Sequence, residues 1–467
     1  MLANFRRLSF WQKTWFFMPV AIWFSYLPQF YLGGDKTMNY ELSITELYVV
    51  FLGLVGLPVI VKNWRTLIHS PLAVVATLFY VWSGLSVIWS PNPVRGILTF
   101  GLASAIWLVF MGALAGRRQL KDIAPQLVRF FLLTAIIASS LAILQAFLGT
   151  FITDNKLTGL CLGCSAGQFG FVRPNLFTIE PQFLGNMLIA PALIWLYRLI
   201  TRPRTWRDAV PFVLVLTTIG LTLSRGAIYA FVIGAIVEVI VSLGHRLNKL
   251  ASLDLMIVSV ILCLTLQGGL GAINPHVQET FGGAVAKSID HLTLDTIDLR
   301  GKEFTKADDF PAPTSLANKP EKPAFDGYVA ESTNTRINLS TTALNAWLDQ
   351  PAWAKLAGTG YGSAGRVMAQ QIGSSYEKEI VQNQYVETLL ERGVVGLGLL
   401  LATLGVFFTR TKQHRWVWSI AIAFGVQYCF FSGLPNAIHV FLILIVLYCA
   451  AASKHLPNSF EQNLDIQ

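Results

Sequence analysis

Residues 209–244 read AVPFVLVLTTIGLTLSRGAIYAFVIGAIVEVIVSLG, thirty-six residues carrying two charges, Arg225 and Glu238. A membrane-crossing helix needs about 20 mainly apolar residues. The stretch is too long for one crossing and holds no polar loop. Its only break is Ser224-Arg225-Gly226, so it predicts two spanning helices that meet in a very tight turn. A charge so close to hydrocarbon is costly and faces a cavity or a partner, or else snorkels to headgroup phosphates. Arg225 thus reads either as a headgroup anchor or as a clamp for a ligand phosphate. Glu238, further along the second helix, reads either as a helix–helix partner for a basic residue or as a proton relay.

The rest of the chain has the same character. Of its 467 residues 54% are hydrophobic and 13% charged, with a mean hydropathy of +0.54. Typical soluble proteins carry about 25% charged residues. This balance excludes a disordered chain, a basic nucleic-acid-binding protein and a disulfide-dense secreted scaffold. It predicts an all-α polytopic membrane protein with about twelve spans, roughly 14–32, 44–61, 71–90, 96–115, 126–148, 183–200, 208–223, 226–244, 253–270, 393–409, 416–432 and 436–452. Three regions follow: nine spans over 1–270, a long loop over 271–385, and three spans with a tail over 386–467.

The net charge of +9 then needs no nucleic-acid partner. With both termini cytoplasmic, the short inner loops hold eighteen Lys and Arg and the short outer ones five, as the positive-inside rule requires. The long loop is therefore extracytoplasmic. Its first half mixes charges with Pro311, Pro313, Pro320 and Pro323. Its second half predicts an amphipathic helix from Leu339, Ala343, Trp347 and Leu348, with Arg336 just before it. That helix either lies on the outer membrane face or caps a cavity.

Cys263, Cys429 and Cys449 fall in spans as small core residues. Cys161 and Cys164 form an outer CxxC, read as a local disulfide, a reduced pair, or half of a redox or metal site.

Further polar residues gather at the outer ends of spans. Phe171 to Gly185 places Arg173 and Glu180 just outside the sixth span, with Pro181 at a helix start. These two charges either pair with each other or serve a ligand. The run Gly358-Thr-Gly-Tyr-Gly-Ser-Ala-Gly365 lacks the Lys-Ser/Thr of a phosphate-binding P-loop. It reads as a turn that lets backbone approach a ligand or a helix. Gln382 and Asn383 stand at the mouth of the tenth span, followed by Glu387, Glu391, Gly393 and Gly396.

Together these segments, over about residues 165–400, resemble the O-antigen ligase and polymerase proteins of bacterial envelopes. The family pattern has Arg, Glu-Pro and Gly leading into a span, matched by Arg173, Glu180-Pro181 and Gly185. Its Ser-Arg-Gly turn is matched by Ser224-Arg225-Gly226. Its loop Arg, Pro and Gly-x-Gly-x-Gly are matched by Arg336, Pro351 and Gly358, Gly360 and Gly362. Its closing His-Asn, Glu and Gly-x-x-Gly read here as Gln382-Asn383, Glu387 and Gly393-x-x-Gly396. Where ligases carry the His taken as the base for the acceptor, this chain carries Gln382. A glutamine has no proton to exchange in the working pH range, though it can still orient a hydroxyl or phosphate oxygen.

The resemblance implies a multi-pass protein of the bacterial cytoplasmic membrane, acting on its outer side. Its implied activity is transfer of a glycan from an undecaprenyl diphosphate carrier to a hydroxyl on a glycan or lipid acceptor. On that reading Arg173, Arg225 and Arg336 hold the diphosphate, and Glu180, Gln382 and Asn383 act on the acceptor. No metal-ligand cluster stands out, so metal independence and no cofactor are expected. Two alternatives stay open. Twelve spans equally suit a transporter or flippase of lipid-linked glycans, and Gln382 suits a family member that has kept the fold without catalysis.

Overall fold

In a computed structural model, the described residues are 8–26, 28–34, 39–151, 169–178, 180–242, 249–275, 279–293, 328–374, 377–412, 414–432 and 434–451. Cys161, Cys164, His276, the prolines between 311 and 323 and the C-terminal tail lie outside them.

The chain runs α1 (Phe10–Trp15), α2 (Met18–Ala21), β1 (Gln29–Gly34), β2 (Asn39–Ser43), α3 (Ile44–Lys62), α4 (Trp64–Ile68), α5 (Pro71–Ser86), α6 (Pro93–Ala115) and α7 (Arg117–Phe151). It continues with α8 (Pro181–Thr201), α9 (Trp206–Leu221), α10 (Arg225–Val241), α11 (Lys249–Ala272), α12 (Phe281–Leu292) and α13 (Tyr328–Leu348). It closes with α14 (Ala352–Ala357), α15 (Ala364–Gln371), α16 (Gln384–Arg410), α17 (Trp416–Gln427) and α18 (Leu434–Ala451). The chain is an all-α membrane protein, with one short hairpin among the described residues. Seven helices among them are long and apolar enough to cross a membrane: α3, α5 with its 3-10 extension to Trp89, α6, α7, α8, α11 and α16. The shorter helices α9 and α10, of 16 and 17 residues, cover 209–221 and 225–241 of the stretch quoted above.

Seven of the twelve expected spans have such a helix among the described residues, and one expected span is overturned. Residues 14–32 do not form a single helix: α1 and α2 are short, and the chain from Gln29 pairs antiparallel with Asn39–Ser43. Pro19 at the start of α2 has no amide to continue an upstream helix. Other starts follow the sequence. Pro71, Pro93 and Pro181 open their helices, where a missing amide is harmless. Ser70, Asn92 and Ser224 accept from the first-turn amides of α5, α6 and α10.

The chain divides into two compact units, with the divisions falling inside α7 and α13: Met1–Thr134 with Leu339–Gln467, and Ala135–Asn338. In the first unit α3 packs along α6, and α16 along α5. Its glycine run straps α14 and α15 to neighbouring helices: a Cβ at Gly360 would lie 2.4 Å from the Ser90 backbone, and one at Gly358 would meet the Glu391 carbonyl. The run thus serves backbone-to-helix approach. Gly393, at φ 67°, kinks α16, and a Cβ there would meet the Leu356 carbonyl oxygen of α14.

The second unit is built around α8. Its apolar stretch is 94% buried, against α9, α10 and α11. Arg198 in the last turn of α8 pairs with Asp208 in the first turn of α9 at 3.0 Å, both buried. Phe169, Phe171, Leu221, Leu223 and Leu270 form an apolar cluster beside the turn between α9 and α10.

Candidate functional site

The site in the second unit begins at that turn. Helix α9 ends at Leu221, and α10 begins at Arg225 with Ser224 as its cap. The connection is so short that Leu223 takes a left-handed backbone, φ 47°. For a residue with a side chain this costs about 1–2 kcal/mol, so the surroundings must hold it. Two donors do so. The Arg173 guanidinium donates from Nε to the Thr222 carbonyl at 2.8 Å and from Nη2 to the Leu223 carbonyl at 3.5 Å. The His291 Nε2, in the last turn of α12, lies 3.0 Å from the same Leu223 carbonyl. A carbonyl only accepts, so Nε2 carries the proton. The Phe169 ring supports both donors, edge-on to His291 at 5.0 Å and under the Arg173 guanidinium at 5.4 Å.

Glu180, Pro181 and Gly185 belong to the same construction. Glu180 is the exposed N-cap residue of α8, and its side chain makes no capping hydrogen bond. A Cβ at Gly185 would stand 2.9 Å from Ala227 Cβ and 3.0 Å from Thr222 Oγ1. The missing side chain is what lets α8 approach the first turn of α10. Arg336 donates to Gln182 Oε1 at 2.6 Å, which ties α13 to the first turn of α8. Arg336 lies inside α13 rather than before it, a second correction. The expected amphipathic helix starts earlier than its apolar spacing indicated, because the polar run Glu331 to Asn338 continues it.

The structure therefore brings Arg173, Arg225 and Arg336 to one place. All three act electrostatically on His291, which is buried. Burial first, then Arg173 and Arg225, hold its imidazole well below the ordinary histidine value; the Leu223 carbonyl opposes them, and Arg336 adds the least. The ring stays neutral, and among the described residues Nδ1 has no hydrogen-bond partner. Arg225 is itself buried at the start of α10. Guanidinium groups so placed present several N–H donors in fixed directions, suited to a phosphate or diphosphate.

Gln382 and Asn383 lie in the first unit. Asn383 is the N-cap of α16, its oxygen accepting from the Tyr385 and Val386 amides, both at 3.1 Å. Its amide donates to the Cys429 carbonyl at 3.5 Å. Gln382 has a left-handed backbone, φ 60°, between that cap and Val381, whose carbonyl accepts from Ser340 at 3.0 Å. It is half-buried.

The sequence does not single out His291 or Gln182: His291 stands in no motif of the family pattern, and Gln182 lies between its Glu-Pro and Gly. Nor does it single out a buried cluster in the first unit. There Glu391 accepts from the Ala364 amide at 3.1 Å and pairs with Arg392 at 3.6 Å, while the Arg392 guanidinium lies 4.5 Å from the Tyr361 ring and 5.3 Å from Phe79. Burial holds the Tyr361 hydroxyl above its usual range. Among the described residues no group of three or more His, Cys, Asp or Glu is placed to hold a metal ion.

Residues 210–401 match the family model described as O-antigen ligase. This part of the chain is similar to that family. The match takes in the Arg225 turn, His291, Arg336 and Gln382, while Arg173 and Glu180 precede it. No curated protein matches the chain.

Proposed function

We propose that the chain is a glycosyltransferase of the O-antigen ligase or polymerase type, taking its glycan from an undecaprenyl diphosphate carrier. The observation that carries this reading is the gathering of Arg173, Arg225 and Arg336 around one turn from three distant points of the sequence. The acceptor is a hydroxyl of a second glycan or of a lipid. The reaction is placed on the outer side of the bacterial cytoplasmic membrane, with both termini inside. On that side nucleotide sugars are absent and the donor must arrive on a lipid.

The acceptor oxygen attacks the anomeric carbon as the bond to the carrier diphosphate breaks. The bonding electron pair leaves with the diphosphate, whose growing charge the three guanidinium groups stabilise in a partly dehydrated setting. The acceptor proton passes to Glu180, exposed and ahead of α8, or to the departing diphosphate. No metal is required for charge stabilisation that arginines supply. Gln382 has no base to offer, and Asn383 fixes the backbone beside it.

The test is release of undecaprenyl diphosphate by purified protein given an undecaprenyl-diphosphate oligosaccharide, with and without added acceptor. Turnover is expected, and Arg225→Ala should lower it by about 10²- to 10³-fold, the range for losing one donor that stabilises developing charge. No turnover with any acceptor leaves the non-catalytic reading. Movement of the intact lipid-linked glycan across proteoliposomes, without cleavage, would mean a flippase.

A further inference from the structure

We propose that His291 is a positioning residue for the arginine site, its Nε2–H holding the Leu223 carbonyl so that the strained turn delivers Arg225 as the first residue of α10. The inference rests on the reading of Arg225 as a diphosphate clamp and adds the device that aims it.

The geometry gives the imidazole one polar task. Its single hydrogen bond among the described residues is the 3.0 Å contact with Leu223 O, and Nδ1 meets no donor. Leu223 has the backbone conformation least suited to a leucine in this turn, two residues before Arg225. Its side chain is fixed in the apolar cluster with Phe169 and Phe171, so the peptide cannot relax by swinging the side chain outward. A second bond ties the same two helices: Tyr229 Oη, in the second turn of α10, donates to the Leu292 carbonyl at 2.8 Å. Helix α12 is thus latched to both sides of the α10 start, once before Arg225 and once after.

A neutral ring is the chemistry this place allows. Lysine would add a fourth cation beside Arg173, Arg225 and Arg336, and a carboxylate would accept where a donor is needed. An imidazole donates through Nε2 while uncharged and packs near-perpendicular to the Phe169 ring. A glutamine also donates from that distance. An asparagine, one methylene shorter, reaches only as far as Nδ1.

The experiment measures binding of undecaprenyl diphosphate to the full chain in detergent. Arg225→Ala is the control for the underlying reading and should weaken binding by about tenfold or more. His291→Leu should weaken it by a similar factor, about tenfold, with His291→Gln within about threefold of the unaltered protein. Binding unchanged in His291→Leu while Arg225→Ala weakens it overturns the positioning role alone. Gln as weak as Leu overturns it too, since ring packing and not the donor would then matter. No effect of Arg225→Ala overturns the clamp, and the inference with it. If His291→Leu fails to give a monodisperse, cooperatively unfolding protein, His291→Asn takes its place. Weak Asn with tight Gln supports the role, and Asn as tight as Gln overturns it.

Discussion

Both units bury arginine, and they do so differently. In the first unit Arg392 sits between the Tyr361 and Phe79 rings with Glu391 3.6 Å away, and Glu391 is held in turn by the Ala364 amide. In the second unit the Arg173 guanidinium is turned onto the backbone carbonyls of Thr222 and Leu223, and Arg336 onto the amide oxygen of Gln182. The first arrangement balances charge and fastens helices. The second directs Arg173 and Arg336 onto neutral oxygens beside one turn, the arrangement on which the proposed diphosphate clamp rests. The comparison sets a buried ion pair that fastens helices against guanidinium groups gathered at a turn.

The sharpest way to break this distinction is Arg392→Met. Removing one partner of a buried pair strands the other, at a cost of about 3–5 kcal/mol. A large drop in thermal midpoint is expected, with the double variant Glu391→Gln/Arg392→Met recovering most of it. If Arg392→Met unfolds like the unaltered protein, the first unit's pair is not structural. Gly185→Val tests the packing beneath the arginine turn. Its side chain would press on Ala227 and Thr222, and overpacking of this kind costs about 1–3 kcal/mol. Donor binding should fall along with stability, because α8 must back away from the Arg225 turn.

The smallest effect concerns acid. His291 is held below its ordinary value by burial and by Arg173, Arg225 and Arg336, so the unfolded chain takes up a proton there before the folded chain does. The resulting loss of stability begins as the pH falls through about 6.5 and grows until the folded value is reached. Its slope is at most about 1.4 kcal/mol per pH unit. His291→Gln should remove this component from a plot of thermal midpoint against pH. Identical slopes for the two proteins would show that His291 titrates normally.

Much of the helical framework was legible in the chain. Pro181 opens α8, the break at Ser224-Arg225 separates α9 from α10, and the spacing of Ala343 and Trp347 marks α13. These are local signals of hydropathy, proline and capping, and they need no distant partner. The first expected span was misread because apolar content alone cannot distinguish a crossing helix from short helices followed by a hairpin. The arginines were legible as costly charges near hydrocarbon. Their convergence was not, since Arg336 and Gln182 lie 154 positions apart and His291 and Leu223 lie 68 apart. Two acceptors at the turn are backbone carbonyls, which leave no trace in residue identity.

The kink at Gly393 has a consequence for the surrounding lipid. Beyond it, the regular part of α16 from 394 to 410 rises about 25 Å at 1.5 Å per residue. Helices α9 and α10, of 16 and 17 residues, rise about as far. A typical hydrocarbon core is about 30 Å thick, so a crossing made by segments of this length would be met by thinning of the bilayer around them. Shorter-chain lipids match that length, and the protein should partition toward the thinner regions of a mixed membrane.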